Sequence, residues 1–364
     1  MPGNKLLTID VRKIHDSGVG TYIQNLIPLI IERLPEYRFT LLGPRDAIAP
    51  HFKYADCLTI IDYRTKPYSI REQIDILPLI PKDTDLLWVP FINIPLLYCG
   101  KLLVTVHDVN FLTMPQFLSF PQRIYAKIVF ATIRHKAVHV LCVSEFSKYE
   151  FMRLVPGTKD NVSAILNGTA PQWFEPPHNA DNPHTDPFFL FVGNVKPHKN
   201  LVRLLQAFEK IADKIPHNLV IVGKKEGFII GDNQALTYPS SLSERIVFTG
   251  YIHDDILRQY YAHATALAFP SLYEGFGLPA LEAMACSCPV LTSNITALPE
   301  VCGDAALYCD PYSVEDIGQQ LLRLATDTGL RTDLIARGRQ HAAALTFEDC
   351  ADKTVNVIQN LLQN

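Results

Sequence analysis

No uninterrupted apolar run in these 364 residues reaches the length of a membrane span, which argues against a helical integral membrane protein. A secretory signal is also missing at the start, where Met1-Pro2-Gly3-Asn4-Lys5 runs straight into a strand-like segment. The expected location is cytoplasmic, with room for a peripheral contact at the inner face of a membrane. Basic charge is not in excess: the formal net charge is −4, so no nucleic-acid partner is expected. Eight cysteines are present, none with metal-ligand spacing. Cys286 and Cys288, two apart on a predicted helix, point to different sides and suit neither zinc nor a disulfide. Buried free thiols in a reducing compartment are the reading. Internal repeats and low-complexity tracts are absent. Apolar residues, by contrast, make up 48% of a length that supports two domains.

The chain is organised around Pro270-Ser271-Leu272-Tyr273-Glu274-Gly275-Phe276-Gly277-Leu278-Pro279-Ala280-Leu281-Glu282. The apolar run Ala264 to Phe269 before it has the length of a buried strand. Gly275 and Gly277 let the backbone turn sharply and approach a ligand, and Pro279 suits the first position of a helix. A strand, a glycine turn and a helix N-terminus together make a phosphate cradle, with unpaired N–H groups around Phe276, Gly277 and Leu278. Glu274 before the turn and Glu282 in the helix's first turn flank it, offering acceptors to hydroxyl-rich groups beside a phosphate.

Elsewhere the pattern alternates strands with helical stretches. Leu6–Asp10, Phe39–Leu42, Leu58–Ile61, Leu86–Val89, Leu102–Val106 and Ala164–Gly168 read as strands or strand and turn of a first domain. Phe188–Val192, Asn218–Gly223 and Arg245–Tyr251 read likewise in a second. Such alternation means parallel sheets covered by helices, with ligands outside the carboxyl ends of the strands. Gly18-Val19-Gly20, in a loop before a helix expected from Thr21, is a second candidate cradle; it lacks the third glycine of a dinucleotide fingerprint. His107-Asp108 falls at one strand's carboxyl end, and Ser144 would cap the helix that follows. Five prolines between 171 and 187 mark a linker. Arg12, Lys13, Arg123 and Lys127 are scattered charges, and no strong basic amphipathic helix declares a membrane surface.

The thirteen-residue stretch resembles the E-x7-E signature of glycosyltransferase family 4, mannosyltransferase-like retaining enzymes of group 1. Pro289-Val290-Leu291-Thr292-Ser293, Leu298-Pro299-Glu300-Val301 and Gly303-Asp304-Ala305-Ala306 agree with it. The resemblance implies an α/β GT-B fold, two Rossmann-like doubly wound domains facing across a cleft. Residues 1–170 would form the acceptor-side domain, 171–187 the linker and 188–346 the nucleotide-sugar-binding domain, with 347–364 a helix crossing back to the first.

By the same resemblance His107, Lys199 and Glu274 would be catalytic. Lys199 would hold the donor pyrophosphate, Glu274 the hydroxyls of the transferred sugar, and His107 the sugar near its reacting carbon. Gly18, Gly20, Asn194, His198, Tyr251, Gly275, Phe276, Gly277, Leu278 and Glu282 would bind the donor, Glu282 through the ribose. Asp10 and Arg12 would shape the first loop. Many members carry an arginine at the position of Asn194 or of His198; this chain has neither, leaving Asn194, Lys196 and His198 as candidates for the second phosphate contact. Ser287 stands where glycine is usual.

The expected reaction moves a hexose, mannose favoured, from a GDP- or UDP-sugar to a hydroxyl of a glycan or lipid-linked oligosaccharide, with retention and without metal or cofactor. The departing phosphate would take the acceptor proton. Paired carboxylates would also serve a glycoside hydrolase, but such an enzyme needs no phosphate cradle. A nucleotide-sugar epimerase or hydrolase of the same fold, and a non-catalytic nucleotide-sugar-binding protein, are the remaining alternatives.

Overall fold

The computed structural model describes residues 5–52, 57–69, 71–157, 161–177, 181–223 and 242–363. They divide into two compact units, Met1–Gly168 with Phe347–Asn364, and Thr169–Thr346.

Among the described residues the first unit holds a seven-stranded sheet of β1 (Leu6–Asp10), β2 (Arg38–Gly43), β3 (Leu58–Asp62), β4 (Leu86–Val89), β5 (Leu102–Val106), β6 (His139–Cys142) and β7 (Val162–Ala164). Their order is β3-β2-β1-β4-β5-β6-β7, and every pairing is parallel. Strands covered on both faces read as near-continuous apolar runs. All of β1, β4 and β5 is buried accordingly. The last strand lies earlier than its apolar residues suggest: Val162–Ala164 pairs with β6, and Ile165 follows it. Only one neighbour orders this edge, so hydrophobicity marks its ends poorly.

The first helix also starts early, at Ser17 rather than Thr21, and runs to Arg33. Gly18 and Gly20 therefore sit in its first turn, not in a loop. A Cβ at Gly20 would come 2.6 Å from the Ile14 carbonyl oxygen, so close packing against the preceding turn explains that glycine. Helix Phe347–Gln363 packs on Ser17–Arg33 and is pinned by Arg33 Nε to Asp352 Oδ1 at 2.5 Å.

The second unit holds a six-stranded sheet among its described residues: β8 (Phe188–Val192), β9 (Asn218–Val222), β10 (Ile246–Gly250), β11 (Ala266–Phe269), β12 (Val290–Ser293) and β13 (Leu307–Cys309). The order is β10-β9-β8-β11-β12-β13, again all parallel. The edge strand β13, with only three residues, has no sequence signature of its own. The proline-rich segment begins with a packed turn, Pro171–Phe174, whose Trp173 is buried edge-on against Tyr261 at 5.8 Å. The unit starts and ends at one place: Thr169 pairs with Thr346, and its N–H donates to the Leu345 carbonyl at 2.7 Å.

Helix Leu278–Ala285 closes before the two neighbouring cysteines, so Cys286 only caps it and Cys288 lies beyond. The cap is a Schellman motif: Cys288 N–H donates to Ala283 O at 2.8 Å and Ser287 N–H to Met284 O at 3.1 Å. Such a cap needs a left-handed residue, and Ser287 takes it at φ 62°. All eight cysteines are free thiols; five are buried, and Cys99 is exposed.

Left-handed strain on a non-glycine residue costs about 1–2 kcal/mol, against about 0.5–1 kcal/mol of extra chain entropy for glycine. The Ser287 hydroxyl also accepts from Arg339 at 3.1 Å, an exposed contact of small worth. Ser287→Gly should therefore raise the melting temperature by roughly 1–2 °C in calorimetry. An unchanged or lowered value would show that the hydroxyl outweighs the strain.

Candidate active site

In an open parallel sheet the strand order reverses where two neighbouring crossovers leave on opposite faces, and a crevice opens at the carboxyl ends there. The second unit reverses between β8 and β11. Loop 193–200 leaves β8 and loop 270–277 leaves β11, so the two stretches singled out by sequence converge.

Their charged groups meet directly. Lys199 Nζ donates to Glu274 Oε1 at 2.6 Å, with side chains 15% and 11% exposed, and lies 5.0 Å from the Phe269 ring centre. The loops are tied by Leu272 N–H to His198 O at 2.7 Å. Asn200, buried and left-handed at φ 60°, holds the arrangement: its amide donates to Pro270 O at 2.9 Å and Pro311 O at 2.7 Å. Three strand-end loops thus share one side chain. Ser293 Oγ adds a bond to Ser271 O at 2.6 Å. Sequence reading missed Asn200 and Ser293, whose partners lie far along the chain.

Gly277 precedes helix Leu278–Ala285 at φ 109°, and a Cβ there would meet Leu298 Cδ2 at 2.7 Å. No side chain caps this helix, and the N–H groups of Phe276, Gly277 and Leu278 find no acceptor among the described residues. The positive helix end thus stays available beside the ammonium of Lys199. Gly275 carries no positive φ, so one glycine makes the turn.

Glu282 falls in the second helical turn, not the first. It is half-buried and accepts from Tyr261 Oη at 3.2 Å. Burial pushes its carboxyl up to about 8, with the Asp254 charge adding to the effect, so the free protein holds it neutral at pH 7. A neutral carboxyl can donate as well as accept. His198 is held down to about 4 by burial, then by the Lys199 charge; it can hydrogen-bond but supplies no cation. Asn194 and Lys196 are exposed, which leaves Lys196 as the cation among the three candidates. Tyr251 is exposed just beyond β10, edge-on to His253.

In the first unit the order reverses between β1 and β4. Arg12 and Lys13, read as scattered charges, are buried here. Arg12 pairs with Asp10 at 2.6 Å and Glu72 at 2.7 Å, and lies 4.2 Å from the Tyr63 ring centre. That network fixes the loop after β1. Lys13 Nζ donates to Tyr68 Oη at 3.0 Å and lies 5.3 Å from the centre of the Phe91 ring. His107, just past β5, is bonded through Nε2 to Pro90 O at 2.9 Å and stands edge-on to Tyr22 at 4.9 Å. A carbonyl only accepts, so Nε2 carries the proton and Nδ1 is left as an acceptor. Burial pushes this imidazole down to about 4, so it is neutral. Gly18 and Gly20 lie in the first helical turn nearby in sequence. Among the described residues no group of three or more His, Cys, Asp or Glu could hold a metal ion.

The family model described as glycosyl transferases group 1 matches residues 175–341. The O-antigen chain mannosyltransferase B of Escherichia coli is 31% identical over 270 residues, 72% of this chain and 71% of that protein. Among solved structures, sucrose-phosphate synthase from Thermosynechococcus elongatus is similar in fold at a TM-score of 0.79 and 20% identity, covering 99% of this chain and all of that one. Anabaena HepE in complex with UDP and glucose is similar at 0.74 and 15%, covering 98% of this chain and 100% of that chain.

Because Glu282 binds its proton more tightly folded than unfolded, the unfolded chain releases it first as pH rises. Stability should fall between the ordinary glutamate value of about 4.3 and about 8, where the folded group titrates. Glu282→Gln should flatten this part of a urea-denaturation pH profile. An identical slope in wild type and variant would place the titration elsewhere.

Proposed function

The chain belongs to the group 1 glycosyltransferases and has their two-domain, Rossmann-like GT-B fold, and from that premise we propose that it is a retaining mannosyltransferase of polysaccharide synthesis. The donor is a nucleoside-diphosphate mannose, GDP-linked, and the acceptor a hydroxyl of a glycan or lipid-linked oligosaccharide. Similarity to an O-antigen chain mannosyltransferase supports the sugar and the polymer.

One observation supports the reading: a largely buried lysine–glutamate pair at the strand-order reversal, beside an uncapped helix N-terminus. An arriving diphosphate would take Lys199 from Glu274 and sit against the N–H groups of Phe276, Gly277 and Leu278. Glu274, released, would accept from hydroxyls of the transferred sugar. Glu282 would meet the ribose. Charge growing on the leaving diphosphate is thereby met by groups already in place, and the phosphate itself would take the acceptor proton. His107 enters as an acceptor for a sugar hydroxyl. No metal is assigned a role.

Titration calorimetry and thermal shift with GDP, UDP and their sugars test the donor. A ligand at a hundred times its dissociation constant stabilises by about 2.7 kcal/mol, well within reach of a shift measurement. GDP-mannose should stabilise most. Silence from every nucleoside diphosphate and activated sugar would remove the assignment. Anomeric NMR of the product should show retention, and inversion would refute that part alone. Nucleotide released at full rate without acceptor would favour hydrolysis or epimerisation.

Lys199→Ala should lower turnover efficiency at least tenfold, equivalent to about 1.4 kcal/mol of transition-state stabilisation. Wild-type rates in that variant would take Lys199 out of the site.

A further inference from the structure

Helix Phe120–Lys136 of the first unit is apolar on both sides. Its inner face is ordinary: Ala126, Val129, Phe130 and Ile133 are buried, and Phe130 packs on Phe151 with ring centres 6.3 Å apart. The outer face is not. Phe120 is 73% exposed, Ile124 45% and Ile128 50%, at a spacing of four that puts all three on one stripe. Phe117, in the preceding turn Pro115–Phe117, is 48% exposed, and Ala131 is exposed one turn further along the stripe. Single exposed apolar residues are common, but a continuous row marks an interaction site.

Charge identifies what the row meets. Arg123 and Lys127 flank it, both exposed. Between Asp108 and Glu145 the chain has no acidic residue, although Asp and Glu number 37 in 364 overall. The same interval carries Arg123, Lys127, Arg134 and Lys136. Arg134 is buried against Asn161 and Gly157, and Lys136 is half-buried on the carbonyls of Leu96 and Tyr98. The two exposed cations are those beside the apolar row, Arg123 with its Nε donating to Leu118 O at 3.0 Å. A second copy packed on this face by two-fold symmetry would set these cations together with no helix carboxylate to neutralise them. A surface of anionic headgroups over hydrocarbon satisfies both features: phosphates for the cations, the acyl boundary for Phe120, Ile124 and Ile128. Among the described residues no helix is long and apolar enough to cross a membrane, so the helix would lie in the interface plane.

We propose that helix Phe120–Lys136 docks the protein on an anionic lipid surface through Phe117, Phe120, Ile124 and Ile128, with Arg123 and Lys127 at the headgroups. The proposal gives Arg123 and Lys127, read from the sequence as scattered charges, a common role. It bears on how a lipid-linked acceptor is met but rests on no step of the reaction, so nucleotide titration and membrane binding can fail separately.

Flotation of the full chain with vesicles decides it. Vesicles with about one-third phosphatidylglycerol should carry the protein up, and phosphatidylcholine vesicles should not; added salt should release it. Lys127→Glu should weaken partition roughly fivefold or more. Phe120→Ser with Ile124→Ser should abolish it while the thermal melt stays near wild type. Should that double variant misfold, Lys127→Glu alone carries the test, since its side chain has no described partner. The proposal is overturned by equal binding to both vesicle types, by no binding to either, by variants that float like wild type, or by a dimer in sedimentation equilibrium that Phe120→Ser with Ile124→Ser dissociates.

Discussion

Lys199 and Glu274 stand 75 residues apart in sequence and 2.6 Å apart in space, and much of the second unit serves to make that distance possible. An ammonium and a carboxylate taken largely out of water are costly unless held in good geometry with further polar support. The support is mostly backbone. Parallel strands β8 and β11 deliver the two loops side by side, Asn200 ties both to the loop after β13, and Gly277 turns the chain so that a helix end faces the same place. The pair is held at 2.6 Å by loops that the sheet itself positions, with both side chains largely out of water.

The first unit handles charge differently. Arg12 is enclosed by Asp10, Glu72 and the ring of Tyr63, and Glu72 in turn accepts from Asn93 and from the N–H of Tyr68. Every charge there is answered from within the protein, so the network shapes a loop and offers nothing outward. The first cluster thus has several partners for each charge, whereas Lys199 and Glu274 form a single ion pair, a contrast that residue type alone does not reveal.

Much of this was legible in the sequence, and the reasons are local. Strands buried on both faces are apolar along most of their length, so β1, β4, β5, β8 and β9 announce themselves. The strand-end placement of Glu274 and Lys199 was legible because each follows an apolar strand run, and the turn at Gly277 because glycine and proline stand between strand and helix. The failures share a cause. Asn200 bonds across 70 and 111 residues, and Arg12 reaches Glu72 across 60; nothing near either position encodes the partner. The loop placement of Gly18 and Gly20 was wrong, and for Gly20 the reason is that a glycine needed for close approach looks the same as one needed for a loop. Helix Phe120–Lys136 was passed over because apolar residues on both sides blur the period, and only burial tells which side faces out.

Thr169 and Thr346 lie side by side, and the stretch between them is a self-contained sheet with its own helices. The first unit, by contrast, owns residues from both ends of the chain. Ser17–Arg33 and its packing partner Phe347–Gln363 are therefore separated in sequence by the whole of the second unit, and their contact closes a loop of roughly three hundred residues, about (3/2)RT ln n of chain entropy. A cut within the middle stretch leaves the first unit's two segments as separate chains, whereas the middle stretch needs residues from neither flank to complete its own sheet.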